Sequence, residues 1–372
     1  MKILTITGTR PELIRLSVIL KKLDKLCDHV HVYTMQNYDP NLSTLFLKEL
    51  GIRVDYLFNK TEGLASFLAN GFLQLNDILN KEKPDKVLVL GDTNSCLLAL
   101  LAAKRGIPVF HMEAGNRCYD DVVPEETNRR VLDSLSYYNL PYNESSKENL
   151  LFEGHHKNRV FKVGNPINEV LDYYKKDIMQ SSIIQELGLG PWEGGAFRSF
   201  ILLSFHRTEN VDNPHCASQV VAAINKLAEE TTVVFPLHPR TADQFRKHGI
   251  VLHKNVKVLP PIGFFDFVRL EMKADVVITD SGTVPEERYL MAKRCVVLRN
   301  TTERQELMEL GTFVLAGYRT EDILRAVQVV SQMKSRNTPL LEDYRTFNVS
   351  DSVIAILLGQ SIKIERRGHD EY

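Results

Sequence analysis

The sequence predicts an α/β protein of two halves, each built on a parallel sheet, and three observations carry that prediction. Short apolar, β-branched runs recur along the chain with helix-like stretches between them, the alternation that crossover helices on a parallel sheet require. The series occurs twice, and the stretch 188–199 between them holds four glycines and a proline in twelve residues, the expected joint. The length, 372 residues, suits two domains at ~150 residues each.

The first series opens on KILTIT (2–7), closed by Gly8. The next stretch places Pro11 in a first helical turn and repeats Leu13, Leu16, Ile19, Leu20 and Leu23 at helical spacing. Further strands are expected at HVHVYT (29–34), KVLVLG (86–91), IPVFHM (107–112) and RVFKVG (159–164), with helices near 64–81, 95–105 and 125–137. A helical stretch follows Gly164. The second series places strands at FILLSF (200–205), TTVVFPL (231–237), VKVL (256–259), ADVVITD (274–280), RCVVLRN (294–300) and TFVLAG (312–317). The tail reads as a last helix with a charged end. The expected domains are 1–168, joined by the C-terminal helix 352–372, and 169–351.

Lys and Arg number 46 against 47 Asp and Glu, a net charge of −1, which offers no footprint for nucleic acid or an anionic membrane. Small-molecule partners are expected instead. The N-terminal apolar stretch of about five residues is shorter than a signal-peptide core of ~7–15, and charges interrupt every long apolar run well below a membrane span. The five cysteines are scattered and never form C-x-x-C, so neither a disulfide framework nor a zinc site is expected, and a cytoplasmic setting fits.

Candidate chemistry gathers at strand ends, where open α/β sheets bind ligands. Gly8-Thr9-Arg10-Pro11-Glu12 follows the first strand; an ordinary turn with a solvated arginine is the alternative. Gly91-Asp92-Thr93-Asn94 places a carboxylate at another strand end; helix capping by Asp92, Thr93 or Asn94 is the alternative, and capping by either of the latter two leaves Asp92 free. Glu113, in HMEAGNR, and Glu125 with Arg129 and Arg130, in PEETNRR, add a set suited to acid and base work. In the second half, His206-Arg207 ends one strand and His238-Pro239-Arg240 another; a capping or core role is the alternative for His238. Asp280-Ser281-Gly282-Thr283 leads into a helix start whose N–H groups suit phosphate, and an acidic residue one turn in, Glu286 or Glu287, suits ribose hydroxyls. Dipole complementarity alone also explains those two acids. No G-x-G-x-x-G, P-loop or spaced metal-ligand set occurs, so neither NAD nor a metal is expected.

Taken together, GTRPELIR (8–15), LGDTNS (90–95), HMEAGNRC (111–118), PEETNRR (124–130), SFHRTEN (204–210), HPRT (238–241), TDSGTVPEE (279–287) and TTER (301–304) resemble the non-hydrolysing UDP-N-acetylglucosamine 2-epimerases. GTRPELIRLS, QNYD (36–39), HMEAGNRC and GNPINEVL (164–171) look more like the branch acting on UDP-2-acetamido-2,6-dideoxy-hexoses of the L-talose/L-fucosamine pathway. The resemblance implies two Rossmann-like domains of glycosyltransferase-B type with a ligand cleft between them, a homodimer, and a role in surface-polysaccharide precursor synthesis. It implies Asp92, Glu113 and Glu125 as catalytic carboxylates and His206 as the cleft histidine. Arg10, Ser281, Gly282, Thr283 and Glu287 match UDP-binding positions, with Arg15, Arg129, His238 and Arg304 joining them. The chain departs from the family in Gln36-Asn37-Tyr38, where a Gln-His-Arg stretch tied to activation by a second UDP-GlcNAc is usual. Met35 stands in place of a glycine, and Gln305 in place of a proline.

The C2 hydrogen of a 2-acetamido sugar is not adjacent to a carbonyl, so its removal needs departure of UDP from C1. The expected route is elimination to a 2-acetamidoglycal and re-addition on the other face, with Asp92, Glu113 and Glu125 sharing the proton transfers. The alternatives are a UDP-GlcNAc 2-epimerase giving UDP-ManNAc, and a UDP-sugar glycosyltransferase of the same fold, which requires an acceptor. A hydrolysing epimerase and a non-catalytic nucleotide-sugar sensor are further readings.

Overall fold

The computed structural model describes residues 1–36, 40–61, 63–191, 195–333 and 340–359, with the backbone alone for residues 40–43 and 209. The chain divides into two compact units, Met1–Tyr173 with the C-terminal residues from Leu341, and Tyr174–Leu340. The first division falls after Tyr173, in place of the expected 168, because helix Ile167–Tyr173 packs on helix Arg10–Leu26 of the same unit. Glu169 on that helix accepts from the Ser350 N–H at 2.8 Å, tying residues after 341 to the first unit. The glycine-rich stretch lies inside the second unit, apart from Trp192, Glu193 and Gly194, which fall outside the described residues.

The first unit holds six strands: β1 (Lys2–Thr7), β2 (Asp28–Tyr33), β3 (Tyr56–Leu57), β4 (Lys86–Leu90), β5 (Val109–Met112) and β6 (Tyr138–Leu140). Their order is β3-β2-β1-β4-β5-β6, and every pair is parallel. Strand alternation sorts the core onto two faces. Ile3, Leu88 and Leu90 meet Leu16, Leu20 and Leu23 of helix Arg10–Leu26, and the C-terminal helix Val349–Gly359 adds Val353 and Leu357. Leu4, Ile6, Val87 and Val89 face Leu75, Ile78 and Leu79 of helix Leu64–Glu82. Each such side chain contributes about 1.5–3 kcal/mol by leaving water. The buried Lys86 ammonium donates to the Leu357 carbonyl and so fastens the C-terminal helix. Residues 360–372 of the expected tail helix lie outside the described residues.

The second unit repeats the plan with β7 (Phe200–Ser204), β8 (Thr232–Pro236), β9 (Val256–Leu259), β10 (Val276–Thr279), β11 (Cys295–Val297) and β12 (Phe313–Leu315). Its order, β12-β11-β10-β7-β8-β9, is the first sheet's order read from the other edge. In each sheet the chain reverses its winding direction once, between β1 and β4 and between β7 and β10. At such a point adjacent loops part and leave a crevice beyond the strand ends.

Three local expectations are corrected. RVFKVG forms no strand: Val160 makes a single bridge to Asn139, and the sixth strand is Tyr138–Leu140. The Phe161 and Val163 N–H groups reach the Asn139 and Pro141 carbonyls at 3.0 Å each, but Pro141 has no N–H with which to continue the ladder. The helix expected over 95–105 is two, Asn94–Leu97 and Ala99–Lys104, and the helical stretch after Gly164 is three, Ile167–Tyr173, Lys175–Gln180 and Ile183–Glu186. No described helix is long and apolar enough to cross a membrane.

Candidate active site

The loops leaving β1, β4 and β5 gather the first unit's charged residues. Asp92 follows β4, and its Oδ2 accepts from Arg129 Nε at 3.1 Å and Nη2 at 2.7 Å. Glu113 follows β5 and is paired with Arg15 of helix Arg10–Leu26 at 2.5 Å, while Asn116 Nδ2 donates to its other oxygen at 3.2 Å. Both arginine side chains are 3% exposed, against 27% for Asp92 and 10% for Glu113. The cations therefore lie beneath and the acids toward solvent. A Cβ at Gly91 would stand 3.6 Å from Glu113 Oε2, so the loop bearing Asp92 lies against Glu113. Glu125 opens helix Pro124–Leu135 and is half-buried.

Below this layer is a second set of ion pairs. Arg129 Nη1 also donates to Glu126 at 2.8 Å, and that carboxylate accepts from the Cys118 N–H at 3.1 Å. Burial pushes Glu126 up, but the Cys118 N–H and the Arg129 charge outweigh it and hold the acid below its ordinary range. Asp133 is fully buried between His111 Nδ1 at 2.9 Å and Arg117 Nη2 at 2.7 Å, and accepts from the Gly115 N–H at 3.2 Å. This arrangement braces the 113–118 loop, in which Glu113 adopts φ 67°, a conformation costing a non-glycine residue roughly 1–2 kcal/mol.

Glu12 forms a capping box at the start of helix Arg10–Leu26, accepting from the Gly8 and Thr9 N–H groups at 2.5 and 3.2 Å. Burial pushes its carboxyl up to about 7, with hydrogen bonds from Thr93, Gly8 and Thr9 opposing. A raised acid leaves stability intact below its unfolded pKa and loses it as pH climbs through the folded value. The wild type therefore gives up roughly 3 kcal/mol between pH 4.5 and 7 on account of this group. Glu12→Gln, which cannot ionise and keeps an acceptor for the cap, is expected to match the wild type near pH 4.5 and exceed it at pH 8. Urea denaturation at both pH values checks this.

In the second unit Asp280 ends β10 and is fully buried. Its Oδ2 accepts from the His206 and Arg207 N–H groups at 3.0 and 2.8 Å and from Asn210 Nδ2 at 3.3 Å, and Oδ1 stands 3.2 Å from His206 Nδ1. This carboxylate–histidine pair spans the reversal point between β7 and β10. Nδ1 faces Asp280 at 3.2 Å and the Ser204 hydroxyl at 3.5 Å, so the imidazole's chemistry falls to Nε2. His206 is one-third exposed.

Ser281, Gly282 and Thr283 form the next loop, with the Ser281 and Thr283 hydroxyls 3.1 Å apart. A Cβ at Gly282 would stand 2.6 Å from Glu303 Oε1, so a larger residue there requires that carboxyl, paired with Arg299 at 2.8 Å, to shift. Glu286 is paired with Arg304 at 2.5 Å, both buried, which is a firmer role than dipole complementarity alone. Glu287 is 4% exposed.

Sequence reasoning chose residues that the fold collects into two groups, Arg15, Asp92, Glu113 and Arg129 in one unit, and His206, Ser281, Gly282, Thr283, Glu287 and Arg304 in the other. The Arg10 guanidinium, at the start of helix Arg10–Leu26, lies over the Phe46 ring at 5.7 Å. His238 caps helix Pro239–Lys247, its Nδ1 accepting from the Arg240 N–H at 3.3 Å, the structural role held open for it. Gln36 accepts from the Ser95 N–H at 2.8 Å, and Met35 takes φ 53°, a conformation natural to glycine. Asn37 and Tyr38 lie outside the described residues. The reading missed Asp280, Glu126, Asn116 and Asp133 as partners. The signal available for Asp280 was its place at a strand end, but its pairing needed the adjacency of β7 and β10. Among the described residues no three His, Cys, Asp or Glu side chains converge as metal ligands do.

Two six-stranded parallel sheets with charged loops at their reversal points define an α/β protein of paired Rossmann-like units. Residues 21–358 match the family described as UDP-N-acetylglucosamine 2-epimerase, and the chain belongs to that family of isomerases. The UDP-N-acetylglucosamine 2-epimerase of Methanocaldococcus jannaschii is 35% identical over 348 residues, 90% of this chain and 93% of that protein. The UDP-2,3-diacetamido-2,3-dideoxy-D-glucuronate 2-epimerase of Pseudomonas aeruginosa is 34% identical over 343 residues, 88% and 92% of the two chains. The crystal structure of the M. jannaschii enzyme in complex with UDP-GlcNAc and UDP superposes with a TM-score of 0.89 at 32% identity, covering 97% of this chain and all of that one. The Neisseria meningitidis epimerase bound to UDP-GlcNAc gives 0.85 at 29% identity, with 97% and 100% coverage.

Proposed function

We propose that the protein inverts C2 of a UDP-2-acetamido sugar by eliminating UDP and adding it back. The observation that carries this is the seating of Asp92 and Glu113, at the ends of neighbouring strands, each on a buried arginine with its carboxylate toward solvent. In the first step a carboxylate of the first unit takes the C2 proton. The C2–H electron pair becomes the C1–C2 double bond, and the C1–O bond breaks with its electrons going to the diphosphate. The products are a 2-acetamidoglycal and UDP. A second acid, from the set Asp92, Glu113 and Glu125, returns a proton to the other face of C2, and the diphosphate oxygen attacks C1.

The second unit is proposed to hold the nucleotide. His206, held beside Asp280, donates to the departing diphosphate, and Arg10 adds charge there. Ser281, Gly282 and Thr283 take the phosphates, and Glu287 the ribose hydroxyls. None of these steps calls for a redox cofactor, because C2 returns to its starting oxidation level.

The substrate proposed is a UDP-2-acetamido-2,6-dideoxy-L-hexose, on the motifs 8–17, 36–39, 111–118 and 164–171, serving surface-polysaccharide precursor synthesis. UDP-GlcNAc, giving UDP-ManNAc, is the second reading, supported by the complexes of the M. jannaschii and N. meningitidis relatives. Proton NMR in D₂O, with no added metal or NAD, separates the two. The expected result is a C2 epimer carrying deuterium at C2 and still attached to UDP, seen with the L-hexosamine nucleotides in preference to UDP-GlcNAc. Tight UDP binding with no exchange in either sugar would reject the epimerase reading in favour of transfer to an acceptor.

A further inference from the structure

A second acid pair lies behind the nucleotide loop. Helix Phe264–Lys273 carries Glu271, fully enclosed, and helix Val284–Leu290 carries Glu287 in its first turn. Among the described residues no N–H or O–H group donates to either oxygen of Glu271. What stands within hydrogen-bonding reach is the carboxyl of Glu287.

The nearby cations are engaged elsewhere. Arg288 donates to the carbonyls of Glu271 at 2.6 Å, Ala274 at 3.3 Å, Asp275 at 3.4 Å and Arg294 at 3.0 Å. Lys293 Nζ donates to the carbonyls of Met272 at 2.7 Å and Ala274 at 3.1 Å. The remaining titratable neighbour is the buried Cys295 thiol, itself pushed well above its ordinary range by burial. Two buried carboxyls in contact cannot both ionise, so the pair retains one proton and a hydrogen bond joins them. The helix start favours the anion on Glu287. Burial and then the Glu287 charge push Glu271 well up, against the pull of Arg288 and Lys293.

We propose that Glu271 is a positioning residue that keeps its proton and donates it to Glu287, fixing that carboxylate as the acceptor for the ribose hydroxyls of the nucleotide. The inference rests on the reading of Glu287 given above and adds the group that sets its charge and orientation. A carboxylate that grips a diol needs a fixed rotamer, and a proton held on the enclosed Glu271 supplies one restraint on it.

The test is the affinity of the full-length protein for UDP and for 2′-deoxy-UDP, from pH 6 to 9.5, in the wild type, E271Q, E271M and E287Q. Glutamine at 271 still donates, so E271Q is expected to bind UDP within about twofold of wild type at pH 7. E271M removes the donor and is expected to bind UDP about tenfold more weakly, with a smaller loss for 2′-deoxy-UDP. Burial and the Arg288 charge hold Lys293 down to about 8, so it titrates in this range in both proteins; wild-type affinity is expected to fall more steeply at alkaline pH than that of E271Q, because only the wild type also loses the shared proton. KM should rise in E271M with kcat little changed. Wild-type UDP affinity in E271M alongside weakened binding in E287Q would overturn the role of Glu271 and leave the nucleotide reading intact. Unweakened binding in E287Q would overturn both. Should E271M fail to fold by thermal melting, the pH profile of E271Q decides: a profile parallel to wild type overturns the proposal.

Discussion

Glu113→Gln is expected to lower kcat by about 10²–10⁴-fold, the range of a lost general acid or base, with the Kd for UDP unchanged. Glutamine is close in shape to glutamate, and its one carbonyl oxygen can still accept from Arg15, which with Asn116 holds the native side chain through its two oxygens at 2.5 and 3.2 Å. It cannot take a proton. The nucleotide contacts are assigned to other residues, so binding and turnover should separate, and C2 deuterium exchange should fall in step with kcat. Steady-state rates with UDP titration calorimetry give the answer. Unchanged turnover would remove Glu113 from the mechanism.

Asp133→Ala is expected to destabilise the protein by about 3–5 kcal/mol, the cost of breaking a fully buried charge pair from one side. At the usual conversion for domains of this size, the melting temperature of the first unit falls by about 10 °C. The loss leaves Arg117 with one carboxylate partner, Glu153, and strips the Gly115 N–H and His111 Nδ1 of their acceptor. Burial pushes Asp133 up, but the His111 and Arg117 partners more than offset it and leave the acid below its ordinary range. The network's stabilisation is therefore present above the ordinary Asp pKa and is lost as pH falls through the lowered one. Differential scanning calorimetry of the variant checks the magnitude. A melting point equal to wild type would mean that Asp133 does not brace the loop carrying Glu113.

Much of this molecule was legible in its residues because strand and helix periods are local. KILTIT, KVLVL and FILLSF announce strands by composition, and Pro11 and the leucine spacing announce the helix that follows the first. Asp92, Glu113 and His206 were found because a parallel α/β sheet puts its chemistry at strand ends, and each sits one to two residues past one. Where the reading failed, the deciding fact was non-local or a matter of pairing. RVFKVG has the alternation of a strand, yet the neighbour it runs beside contains Pro141, which cannot complete the ladder.

The alternation of strands and helices, the doubling of the plan, and the residue types available for acid, base and phosphate chemistry are all written in single stretches of chain, so no contact is needed to read them. Which charges meet is set by the folded chain: Arg15 with Glu113, Arg129 with Asp92, Asp280 with His206, Glu271 with Glu287. Those partners are from 16 to 98 positions apart, and their meeting depends on strand order and burial. A carboxylate's character as base, proton donor or brace is set by the cation, N–H or second carboxyl that the fold brings to it, and that information is carried by no segment alone.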